Sequence, residues 1–180
     1  MNRIRELVDT LAGGLAKFGY AASAGTTVGD VECAAVFATP RQSRRLVCAV
    51  VDLRDSVSDI EEAERLAADI RRGLSKRYPG FLRPKRLGTF TVLLAGSELC
   101  ERLAEHRTRL IDSHGKHVNV LLGTVLVDVE RFRTCADTIW GLIDTGDQFK
   151  RIQDAVESWC AGYRRPRRLF RTHGRALRVA

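Results

Sequence analysis

No stretch of the sequence stays apolar for the roughly 18 to 20 residues that a bilayer span requires. The longest candidates are Leu46–Val51 and Val118–Val127, lengths that suit strands. Met1–Gly19 carries Arg3, Arg5, Glu6 and Asp9 among its apolar positions, so it lacks the unbroken apolar run of a secretory signal. A glycine-rich phosphate loop is missing too. Gly13 and Gly14 fall inside a helical pattern, and neither the Walker nor the dinucleotide spacing occurs, which argues against nucleotide-dependent chemistry. Without a G-x-S-x-G elbow, a serine hydrolase has no support. The five cysteines, Cys33, Cys48, Cys100, Cys135 and Cys160, are odd in number and lack the close pairs of a disulfide framework or zinc site. Each lies in an apolar periodic segment and reads as a small hydrophobe in a reducing compartment. These absences together predict a soluble, cytoplasmic protein with no membrane partner.

What is present suits a single core. A chain of 180 residues with 44% hydrophobic and 29% charged residues is long enough to bury one substantial interior and too short for two comfortable domains. The net charge of +8 is unevenly placed: Tyr163–Ala180 holds seven arginines and no acid, which leaves Met1–Gly162 at +1. Residues 1–162 therefore read as an α/β domain and 163–180 as an arginine-rich tail.

Along the chain, Ile4, Leu7, Val8, Leu11, Leu15 and Phe18 recur at helical spacing, with Asn2 as cap and Gly19 as stop. Extended segments follow at Tyr20–Ala24, Asp30–Thr39 and Arg44–Leu53; in the last, Leu46–Val51 is apolar throughout, the mark of a central strand covered on both faces. Ser58 and Glu61 form a capping box ahead of a stripe at Ile60, Ala63, Leu66, Ala67, Ile70 and Leu74. Pro79, Gly80 and Pro84 break the chain before a strand at Thr89–Ala95, and Ser97 opens a helix ending near Gly115. His117–Val127 reads as a strand with Gly123 as a bend or bulge. Asp128 is expected to cap a helix carrying Phe132, Cys135, Ile139, Trp140 and Ile143, and Thr145 or Asp147 a second carrying Phe149, Ile152, Val156 and Trp159, closed by Gly162. The predicted order is αβββαβαβαα, a central mixed sheet flanked by helices in a three-layer α/β domain.

This opening resembles the core of the PD-(D/E)xK superfamily, the restriction-endonuclease-like fold, over about Asn2 to Ala95. Asp30 precedes the strand Val31–Ala38, and Asp52-Leu53-Arg54 ends the strand Arg44–Leu53. The resemblance implies Asp30, Asp52 and Arg54 as catalytic positions, Asp30 and Asp52 as ligands of Mg²⁺, and Glu6 as a third acid. Carboxylates at adjacent strand ends can hold a cation that polarises a phosphate and acidifies a bound water. Alternation puts Asp52 and Arg54 on one face. Arginine stands where the family prefers lysine, and a guanidinium is never deprotonated; it can contact phosphate without activating water. The reading accordingly favours a degenerate, nuclease-like core over an active Mg²⁺-dependent nuclease. Asp112, His114 and His117 form a further, weaker set of candidate metal ligands.

The tail is the stronger signal. Arg164, Arg165, Arg167, Arg168, Arg171, Arg175 and Arg178 suit bidentate phosphate contacts, and Tyr163 and Phe170 suit stacking on unpaired bases. Such a cluster equally suits an acidic protein partner. Two functions are therefore expected: a nucleic-acid-binding protein with a nuclease-like core, or a non-catalytic scaffold subunit of a larger complex or oligomer, docking through its C-terminal helices and basic tail.

Overall fold

A computed structural model describes residues 3–40, 45–78, 87–106, 119–138 and 146–164. The chain opens with α1 (Arg3–Ala16), which buries Leu7, Leu11 and Leu15 along one stripe. It stops through Gly19, whose φ of +74° is open to a residue without Cβ. A meander follows, made of β1 (Ala21–Val28), β2 (Val31–Ala38) and β3 (Arg45–Asp52). β1 and β2 join through Gly29 and Asp30, with Gly29 at φ +62° as the first loop residue.

Helix α2 (Ile60–Arg77) crosses to β4 (Leu87–Ala95), and α3 (Ser97–Glu105) precedes β5 (Asn119–Asp128). The last elements are β6 (Arg133–Thr138) and α4 (Gly146–Arg164). The six strands lie in sequence order across the sheet. β1, β2 and β3 pair antiparallel, β3, β4 and β5 pair parallel, and β6 returns antiparallel to β5. Strand alternation sorts the side chains into two cores. Cys48, Val50, Phe90, Val92, Leu94, Val125 and Val127 pack under α1 and α4; Val47, Ala49, Val51, Leu93 and Leu126 pack under α2 and α3. The molecule is the expected α/β arrangement, a mixed sheet between helical layers. β3, apolar at each position from Leu46 to Val51, lies in the interior of the sheet as predicted.

Two local expectations change here and one holds. The N-cap of α2 is Asp59, not Ser58: its carboxylate accepts from the amide of Glu62 at 2.8 Å, and the Glu62 carboxylate accepts from the amide and hydroxyl of Ser58, both at 2.8 Å. The reciprocal cap exists, one residue later than the S-x-x-E spacing suggests. At Gly123 the chain does bulge, with Leu122 as the extra residue; the missing Cβ of Gly123 admits the Phe149 ring, which a Cβ would approach to 2.5 Å. The largest change is at Asp128, which caps no helix. Its carboxylate accepts from the amides of Glu130 and Arg131 at 3.0 and 2.9 Å, Phe132 takes a φ of +53°, and the chain reverses into β6. Among the described residues the order is thus αβββαβαββα, with Ile139, Trp140 and Ile143 outside them.

Candidate nucleic-acid interface

The register of the parallel strands brings Asp52 level with Leu94, and Ala95 level with Asp128. Asp52, the α3 start at Ser97 and Asp128 therefore share the carboxyl end of the parallel strands, the edge where open α/β sheets present ligand-binding loops. Asp52 and Arg54 do lie on one face, and they are bound to each other. The guanidinium donates through Nε to Oδ1 at 2.9 Å and through Nη2 to Oδ2 at 2.6 Å, and the Arg54 amide donates to Oδ1 at 3.2 Å. Partial burial works to raise the Asp52 pKa, but the hydrogen bonds and charge of Arg54 outweigh it and hold the carboxyl below its ordinary range. Arg54 is raised in turn, chiefly by its hydrogen bond to Asp52.

Asp30 occupies the exposed second position of the β1–β2 loop. Glu6, the third acid, accepts a hydrogen bond from the Tyr163 hydroxyl and thereby fastens α1 to α4. At Asp52 a guanidinium stands where the resemblance implies a metal cation. Both Asp52 oxygens are engaged by a fixed cation, and among the described residues no group of three or more histidines, cysteines or acids is placed to hold a metal. Asp112, His114 and His117 lie outside the described residues.

Two networks at this sheet end escaped the sequence reading. In the first, Ser97 Oγ donates to the buried Asp128 carboxylate at 2.9 Å, while the Ser97 amide donates to Glu130 at 3.2 Å. The start of α3 is thereby occupied by the protein's own carboxylate. In the second, Phe132 stacks on Tyr163 at 4.7 Å between ring centres and meets Trp159 edge-on at 5.5 Å, with the Arg3 guanidinium 5.4 Å from the Phe132 ring centre and 5.3 Å from that of Tyr163. Helix α4 runs through Gly162 to Arg164, two residues beyond the predicted stop. Arg164 donates to the carbonyl of Phe132. Tyr163 is thus a packing residue here, and the tail beyond Arg164 lies outside the described residues. The only sequence signals for this cluster were aromatic residues at helical spacing in α4, which do not reveal their partners.

The cysteines behave as the hydrophobes expected. Burial pushes the Cys48 thiol up to about 12 and the Cys33 thiol up to about 11, so neither is a thiolate nucleophile at neutral pH. Phe149 and Trp159 are buried in the core, as their periodicity predicted. No helix among the described residues is long and apolar enough to cross a membrane. Comparisons with protein-family models, curated proteins and solved structures find no match.

Proposed function

We propose that the protein binds nucleic acid through its phosphate backbone, with the arginines from Arg164 to Arg178 as the principal contact and a nuclease-like core that carries no metal chemistry at Asp52. The observation that carries this reading is the arginine run itself, seven cations without an acid. Its point of departure supports it: Arg164 is anchored to the Phe132 carbonyl at the turn after β5, so the cations begin at the carboxyl end of the parallel strands. The αβββαβ order of α1 to β4, on which the resemblance to PD-(D/E)xK proteins rests, is retained. The Asp52–Arg54 pair favours binding over hydrolysis, because a guanidinium that already satisfies the carboxylate takes the place a cation needs.

The scaffold-subunit alternative relied on the C-terminal helices as a docking face. In α4 that apolar stripe, Phe149, Ile152, Val156 and Trp159, is used inside the core, while Ile139, Trp140 and Ile143 lie outside the described residues.

Fluorescence anisotropy with a labelled oligonucleotide tests the proposal. Neutralising about seven phosphates predicts an affinity loss of roughly 10³-fold between 50 and 200 mM salt, with chelation of divalent cations leaving the Kd unchanged. Absence of binding at low salt overturns it.

A further inference from the structure

The near-neutral body conceals two opposed segments. From Asp52 to Asp69 the sequence holds seven acids against two arginines, whereas from Ile70 to Ser97 it holds seven lysines and arginines and no acid. Cations in the last turn of α2 suit the helix dipole, and that accounts for Lys76 and Arg77. It does not account for Arg45, which comes from β3. The Arg45 guanidinium lies 4.2 Å from the centre of the Tyr78 ring, and that of Arg77 lies 5.9 Å from the same centre. Two elements thus gather positive charge around one aromatic side chain.

Arg72, Lys76 and Arg77 are exposed. Arg72 and Lys76 stand one helical turn apart, a like-charge spacing that weakens an isolated helix. The neighbouring acid, Asp69, pairs with Arg72 at 2.9 Å, but both side chains are largely in water, at 45% and 68% exposure, where such a pair is screened. Several separate cations spread over more than a helical turn match an extended polyanion better than a single small anion. Arg45 already covers the Tyr78 ring, which leaves phosphate contact rather than base stacking as the mode of recognition.

We infer that the exposed cations Arg72, Lys76 and Arg77 of α2, together with Arg45 against the Tyr78 ring, form a second contact surface for the nucleic-acid phosphate backbone, separate from the tail. The inference rests on the nucleic-acid reading above and adds a contact that survives loss of the tail charges.

The test uses the full-length chain, with single-stranded and duplex oligonucleotides and phosphatidylserine vesicles as separate arms. Arg72→Gln with Lys76→Gln removes two exposed cations, and an unchanged melting temperature verifies the fold. The slope of log K against log salt is expected to fall by about 1.4 for a single strand or 1.8 for a duplex. A fall of similar size is expected when Arg165, Arg167, Arg168, Arg171, Arg175 and Arg178 are also replaced by glutamine. The wild-type background decides: an unchanged slope there, while the wild type binds, overturns the second surface and leaves the tail reading standing. Absence of salt-dependent binding by the wild type overturns both. Loss of vesicle binding with oligonucleotide binding unaltered assigns the surface to membranes and overturns it as a nucleic-acid contact.

Discussion

Asp52 and Arg54 show how a candidate metal ligand becomes a structural pair. Residues i and i+2 of a strand share a face, so an acid and a guanidinium at this spacing meet as soon as β3 ends and the chain has room to turn. Because the folded pKa of Asp52 is depressed, the stabilisation is present above the unfolded carboxyl value of about 3.9 and is lost as pH falls through the lower folded value. The side chains are 25% and 44% exposed, so Arg54→Gln should cost only about 0.5 to 1 kcal/mol at pH 7. Urea unfolding of wild type and variant should begin to converge as pH falls below about 4 and should meet only once pH has passed the lower folded value; a difference that persists beyond that would show that Arg54 acts through something other than Asp52.

At the scale of elements, two glycines in helices have opposite meanings. Gly13 in α1 has nothing within 4 Å of where a Cβ would stand, whereas at Gly73 in α2 that atom would meet the Gly29 nitrogen at 2.6 Å and the Val28 carbonyl carbon at 2.8 Å. Gly13→Ala should therefore stabilise by about 0.5 to 1 kcal/mol through helix propensity. Gly73→Ala should destabilise by about 1 to 3 kcal/mol, because backbone must yield and α2 must lift from the β1–β2 loop. Denaturant midpoints of the two variants read both signs. Elements whose burial follows a single period were legible in the sequence. The apolar run of β3 and the stripe of α2 both declare which faces are covered. β6 was not legible, because Phe132 and Cys135 fit a helical spacing equally well. An acid such as Asp128 caps turns as readily as helices, and the outcome was decided by Phe132 entering the left-handed region. In the candidate site the positions of Asp52 and Arg54 were readable from alternation. The Arg3, Phe132, Trp159 and Tyr163 cluster joins parts of the chain far apart in sequence, and only the assembled fold brings them together.

For the whole molecule, charge placement matters more than its total. The arginine-rich end begins at the carboxyl edge of the parallel strands, and the α2 surface supplies cations of its own, so a polyanion would meet the protein at two places. The clasp formed by Tyr163 with Glu6, and by Arg3 with the Phe132 and Tyr163 rings, has a different consequence. It lays the first and last helices side by side with the start of one against the finish of the other. Such neighbouring ends suit a circular permutation: a short flexible peptide joining Arg164 to Arg3, with new ends opened between Gly29 and Asp30, should yield a chain with a wild-type circular dichroism spectrum and a single cooperative melt. Failure of that rewired polypeptide to fold would mean that the β1–β2 reversal must form intact before the two outer helices can close over the sheet.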